Sequence, residues 1–257
     1  MRTNGTIRLA LALLAAIPAA VAAPPPLEPP AEIVRLPAPA GFGQIVFPVE
    51  PAGEPTIVVL VPDALGEDGR SAPYREALLA RGMAVLVLGL GDDADGGDLA
   101  TEPASTPAAV RATLEWLAED GRFAPGRVGL IGFGAGGRAV LEGGIGRHVA
   151  ALYPGCRGLD LQELGPALML HGTEAPDAEA CAALSPPAGV LLAAVLGAGH
   201  AWDVTVSLWP DVGPLLPDPA GGRRIRAVPD PVVTEAVAEA LGAHFEQVLV
   251  LEREAAR

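Results

Sequence analysis

The stretch VGLIGFGAGG, Val128 to Gly137, constrains this chain more than any other. A short apolar run feeds a glycine-dense turn that reads on into a helix. In such a strand–elbow–helix unit the pattern G-x-S-x-G holds a reactive serine on a sharp, strained turn. Here the five positions are Gly132, Phe133, Gly134, Ala135 and Gly136, so glycine stands where the nucleophile belongs. The turn does not read as a phosphate cradle either. It lacks the Lys-Ser/Thr of a P-loop, and no dinucleotide-type acid follows at the expected place. No cofactor is implied, and without close H-x-x-x-H spacing no metal site is expected.

Around this unit strands and helices alternate. EIVRL, QIVFPV and TIVVLV read as strands, the last of the fully buried kind. A helix near YREALLARG ends at Gly82, and AVLVLGL is the next strand. TPAAVRATLEWLAED opens on a Thr106 cap and Pro107. RVGLIG, VAALY, ALMLHG and GVLLAAVLG follow as short apolar runs. The last helix begins at Asp230-Pro231, with Val233, Val237, Leu241, Phe245 and Val248 as its apolar stripe. WPDVGPLLPDPAGGRRIRAV reads as a long loop rimming a site. Alternation of this kind predicts a mostly parallel sheet covered by helices on both faces.

The 257 residues carry 31 acids against 17 bases, all arginine, for a net charge of −14. That excludes a nucleic-acid footprint and gives no attraction to an anionic membrane. Arg2 and Arg8 flank a polar start, and LALALLAAIPAAV supplies an apolar region too short to span a bilayer. Residues 1–22 are therefore expected to be a cleaved signal peptide, the alternative being a retained anchor. Loss of its two arginines takes the charge from −14 to −16. Residues 23–31 read as a proline-rich tether and 32–257 as one domain. An exported protein meets an oxidising compartment, where Cys156 and Cys181 are expected to bridge rather than remain as two buried thiols.

In parallel sheets the chemistry collects at the carboxyl ends of the strands. Those ends carry Pro62-Asp63-Ala64, the glycine elbow, His171-Gly172-Thr173-Glu174-Ala175-Pro176-Asp177, and Gly199-His200-Ala201-Trp202-Asp203. Nucleophile position, acid, histidine is the chain order of the α/β-hydrolases. VPDALGEDGRSAPY, GLIGFGAGGRAV, ALYPGC, LMLHG with AEACAAL, and LGAGHAWD together resemble the dienelactone hydrolase family from about Glu32 to the last helix.

The resemblance implies an α/β-hydrolase fold with a mostly parallel sheet of about eight strands. It makes His200 the catalytic base, and Ala64 and Ala135 the donors of an oxyanion hole. It places Asp63 where the family carries an acid beside the nucleophile, though Asp63 also fits a turn- or helix-capping role. The family's triad acid falls at Ala175, in a shortened loop, so Asp177 or Glu174 is left to partner His200, with Asp177 favoured. Secreted relatives pair Cys156 with Cys181. His171 reads as a packed strand-end residue, His148 lies at the wrong end of its strand, and His244 has no evident role. The family's substrate-binding arginine after the histidine is Val204 here, and GLGDDADGG is acidic. Arg223, Arg224 and Arg226 are expected to be surface charges, so the ligand is expected to be small, neutral and ester- or lactone-like.

No other residue supplies the missing nucleophile: the four serines are Ser71, Ser105, Ser185 and Ser207, and none follows this strand. Glycine suits a positive-φ elbow, a conformation costing other residues about 1–3 kcal/mol. The leading expectation is an exported hydrolase-fold protein without covalent catalysis. The alternatives are hydrolysis by a His200-activated water, a Ser or Cys at this codon in the native gene, and, remotely, a metal held by His171, His200 and Asp177.

Overall fold

The computed structural model describes residues 28–51, 54–89, 105–144, 147–161, 164–205 and 213–251. Residues 1–22, read above as a signal peptide, most of the stretch read as a tether, and nearly all of the acidic GLGDDADGG segment lie outside the described residues.

Among the described residues the strands and α-helices run in the order β1 Ala31–Arg35, β2 Phe42–Val46, β3 Ile57–Val61, α1 Ala72–Leu79, β4 Ala84–Leu88, α2 Pro107–Asp120, β5 Val128–Phe133, α3 Ala135–Gly143, β6 His148–Leu152, β7 Ala167–Gly172, α4 Ala178–Ala182, β8 Val190–Val195, β9 Leu215–Pro217, β10 Arg224–Arg226 and α5 Pro231–Phe245. Eight strands make one sheet in the order β1-β2-β4-β3-β5-β6-β7-β8. β1 and β2 are antiparallel, and every pairing from β4 through β8 is parallel. This is the mostly parallel eight-stranded sheet the sequence implies.

β3, β4 and β5 are buried on both faces. Alternate residues face two different cores. Ile57, Val59 and Val61 pack with α2 and α3, whereas Val58 and Leu60 pack with α1 and α5. Helices therefore cover both faces. Local chemistry fixes their starts. Thr106 Oγ1 accepts from Ala109 N at 3.2 Å, and Asp230 Oδ1 accepts from Val232 N and Val233 N at 3.0 Å, each ahead of a first-turn proline.

One expectation needs correction. The stretch read as a long loop before α5 holds a hairpin, β9 paired with β10. Its strands are three residues long and one ends in proline, too short for an alternation signal to register. Its turn is held by Asp218, which accepts from Ala220 N at 2.9 Å and from Arg223 Nε at 2.8 Å. Residues 206–212 of this stretch lie outside the described residues. No helix among the described residues is long and apolar enough to cross a membrane.

Candidate active site

β3 and β5 are parallel neighbours, with Val61 paired to Gly132, so the loop leaving β3 runs beside the turn leaving β5. That turn is Gly134, at φ 53° and ψ −115°. The approach of the two loops is close enough that a Cβ on Gly136 would lie 2.2 Å from the carbonyl oxygen of Pro62. α3 starts at Ala135, so the Ala135 N–H is one of the helix's unpaired first-turn donors and sits at its positive end.

Asp63 accepts that donor. Its Oδ1 lies 2.9 Å from Ala135 N and 2.8 Å from Ala64 N. These are the two amides that the family resemblance names as an oxyanion hole, and both distances fall in the range such a hole uses for its anion. A Cβ built on Gly134 would meet Asp63 Oδ1 at 2.4 Å, Cγ at 2.5 Å and Oδ2 at 2.6 Å. The carboxylate thus occupies the space that a nucleophile's side chain at position 134 would need.

A buried guanidinium completes its setting. Arg70 Nη1 donates to Asp63 Oδ2 at 3.1 Å, and both side chains are 2% exposed. The Arg70 fork also holds Asp68, through Nε at 2.8 Å and Nη2 at 2.6 Å. From Nη1 the network continues to the Tyr153 hydroxyl at 3.4 Å. That hydroxyl donates to Asp203 Oδ1 at 2.5 Å, while Tyr74 donates to Asp203 Oδ2 at 2.8 Å. Burial raises both phenols well above their ordinary range, so both remain donors. Burial also pushes the Asp203 carboxyl up to about 6, against the opposing pull of Arg70 and the two tyrosines. Arg70, Tyr74, Tyr153 and Asp203 are the members of this centre that sequence reasoning missed. All four lie in stretches that carry the family resemblance, Arg70 and Tyr74 in VPDALGEDGRSAPY, Tyr153 in ALYPGC and Asp203 in LGAGHAWD, but nothing local marks them as partners.

His200 closes the site from the β8 side. It is 1% exposed and stacks edge-on against Tyr153, with ring centroids 5.1 Å apart. Its Nε2 is buried and has no hydrogen-bond partner among the described residues. Burial lowers its pKa below the ordinary 6.5, although the Asp63 and Asp177 carboxylates pull the other way. The imidazole is therefore neutral at pH 7. Tyr153, at φ 40°, and Ala201, at φ 49°, are non-glycine residues held in left-handed backbone on the two loops that meet here.

Of the two acids considered for His200, Asp177 is buried and Glu174 is exposed. Asp177 precedes α4 but does not cap it with its side chain; its Oδ2 accepts from Cys156 N at 2.9 Å. Cys156 and Cys181 are joined, with an S–S distance of 2.01 Å. Asp177 and the two sulfurs lie within 4.8 Å of one another, but disulfide sulfurs are not thiolate ligands for a metal. His171 is buried at the end of β7, with Nδ1 3.4 Å from the Gly172 carbonyl. His148 opens β6, and His244 stacks on Phe245. Val204 is buried. Arg224 and Arg226 donate to the backbone of the hairpin segment, and Arg223 pairs with Asp218.

No family model matches the chain, and no curated protein matches it. Solved structures do. A dienelactone hydrolase from Anabaena variabilis is 19% identical and aligns over 87% of this chain and 100% of its own, with a TM-score of 0.60. The chain has the α/β-hydrolase fold. A dienelactone hydrolase-like promiscuous phosphotriesterase from metagenomic libraries covers 85% of this chain and 98% of its own, at 18% identity and a TM-score of 0.56. The esterase domain of a Rhodothermus marinus protein covers 86% and 100%, at 16% identity and 0.56. At these identities the likeness is one of fold, and the function rests on the site.

Proposed function

We propose that this chain is an exported, dienelactone-hydrolase-like protein whose hydrolytic centre is silent. The observation that carries this reading is the Asp63 carboxylate, lying over Gly134 and bonded to the amides of Ala64 and Ala135. Two requirements of covalent ester hydrolysis fail together. Position 134 has no hydroxyl or thiol, and the donors that would stabilise a tetrahedral oxyanion already hold an anion. In a serine hydrolase such as subtilisin, loss of the nucleophile alone lowers turnover about 10⁶-fold. A small neutral ester- or lactone-like ligand, if bound, would rest against this filled centre with its carbonyl outside the hole. The disulfide and the candidate leader segment support export.

The neutral, unpartnered Nε2 of His200 favours one second reading, hydrolysis by a water that His200 deprotonates. Both readings meet the same assay, p-nitrophenyl acetate hydrolysis with mass analysis of the protein. Silence predicts no acylated protein and equal background rates for wild type and His200→Ala. Wild-type turnover that disappears in His200→Ala overturns silence in favour of the water. A burst of acylated protein overturns both.

A further inference from the structure

Resting on the silent-centre reading, we propose that the filled centre is a carboxylate cradle. Asp63 is its built-in ligand, and a short monocarboxylate anion of formate or acetate size is the ligand class it takes once that side chain is removed.

The cradle is assembled from two separate stretches of chain, the loop between β3 and α1, which carries Ala64 and Arg70, and the start of α3. Ala64 N comes from the loop after β3 and Ala135 N from the start of α3, and both point at one oxygen, at 2.8 and 2.9 Å. Arg70 Nη1 reaches the other oxygen at 3.1 Å. A planar group with one oxygen between two amides and the other on a guanidinium has the donor arrangement that a carboxylate uses best. Arg70 is itself fixed, its fork holding Asp68 and its Nη1 touching the Tyr153 hydroxyl. The donors therefore do not depend on Asp63 for their positions. The absence of a Cβ on Gly134 provides the room, since that atom would fall within 2.6 Å of all three terminal carboxylate atoms.

Removing Asp63 leaves two buried amides without an acceptor and Arg70 Nη1 without its carboxylate oxygen, although Asp68 still holds the rest of the fork, and this favours a carboxylate able to enter. Size then selects the ligand. Asp63→Ala removes a carboxylate group, the volume of formate. Asp63→Gly also removes the methylene, the volume of acetate. In the wild type the tethered carboxylate outcompetes either anion, because its effective concentration far exceeds that of a free one.

The experiment is thermal unfolding of wild type, Asp63→Asn, Asp63→Ala and Asp63→Gly in sodium formate, sodium acetate or sodium chloride at equal ionic strength. At a concentration tenfold above its dissociation constant, formate raises the Tm of Asp63→Ala by about 3 °C or more relative to chloride. Acetate does the same for Asp63→Gly. Wild type and Asp63→Asn, whose cradle is filled, shift by less than about 1 °C, a small fraction of that linkage effect. Equal shifts in all four proteins, or none in either truncated variant, overturn the proposal. If a truncated variant does not fold unaided, refolding in formate or acetate against chloride is the same test, and equal yields overturn it. The readout is stability, so ester turnover by the wild type would defeat the silent-centre reading while leaving the cradle to be judged by these shifts.

Discussion

The two sides of the site are finished differently. On the β3–β5 side every polar atom of the Asp63 carboxylate region meets a partner: two amides, a guanidinium and, beyond it, a tyrosine–aspartate network. On the β7–β8 side His200 keeps its ring buried against Tyr153 with Nε2 unpartnered. The difference is one of what each buried group costs when it has no partner. An oxyanion hole is a pair of buried donors beside a helix N-terminus, and an empty one forfeits the bonds and the field it was arranged to supply. A neutral imidazole costs less to leave alone. On the first side a carboxylate fills the pair of donors, and on the second an imidazole nitrogen is left without a partner among the described residues.

Removing the fill should have the largest effect. Asp63→Ala is expected to lower stability by about 3–5 kcal/mol, the usual cost of breaking a buried ion pair by deleting one partner. Urea unfolding measures it; a loss below about 1 kcal/mol, the range of a solvent-exposed pair, would mean that the contacts on the β3–β5 side carry no more weight than surface bonds.

The β7–β8 side has its own fixed element. The Cys156–Cys181 bridge spans 25 positions, and Cys156 N binds the Asp177 carboxylate. Replacing both cysteines by serine is expected to cost about 3 kcal/mol by loop entropy. An unchanged unfolding midpoint would remove the bridge from the account of how Asp177 is held.

The network linking the two sides adds a pH signature. Asp203 titrates at about 6 in the folded protein against 3.8 for the free group. Between those values the folded state binds more protons, so this group's contribution to stability falls as pH rises from about 4 to 6 and is level above that. Asp203→Asn is expected to remove that fall, about 2–3 kcal/mol across the window. The wild-type-minus-variant difference across pH 4–7 reads it directly, and a flat difference contradicts it.

The smallest effect belongs to His200. His200→Phe keeps a ring against Tyr153 and removes the unpartnered nitrogen, so stability at pH 7 should change by less than about 1 kcal/mol. Because the His200 pKa is lowered in the folded state, the wild type loses stability from this group as pH falls below 6.5, and the variant does not. A large loss in His200→Phe at pH 7 would erase the contrast between the two sides.

Much of this architecture was legible. Continuous apolar runs marked β3, β4 and β5 because those strands are buried on both faces, and Thr106-Pro107 and Asp230-Pro231 marked helix starts through local hydrogen bonds. The β9–β10 hairpin was not, because three-residue strands carry too few side chains to show a period. Within the site, strand-end motifs led to Gly134, Ala64, Ala135 and His200; the ends of β3 and β5 are neighbours, and His200, three strands away from β5 in the sheet, stacks on Tyr153. The resemblance put Asp63 beside position 134, but no motif revealed that its carboxylate would lie over Gly134 and hold the amides of Ala64 and Ala135. That fact belongs to the approach of two loops 71 positions apart, and it depends on a missing Cβ as much as on a carboxylate that is present. Arg70 was missed although its carboxylate partners Asp63 and Asp68 lie only seven and two positions away. A charged residue in an acidic loop reads as solvated, and nothing local marks it as buried.

The most direct test of the central claim is p-nitrophenyl acetate hydrolysis by Gly134→Ser and by Gly134→Ser with Asp63→Ala. A serine at 134 must displace a carboxylate that two amides and Arg70 hold in place. The account predicts that the single variant is as silent as the wild type. The double variant should hydrolyse the ester with an acyl-enzyme burst, and adding His200→Ala should abolish that activity. A single variant as active as the double, or a double as silent as the single, would contradict it.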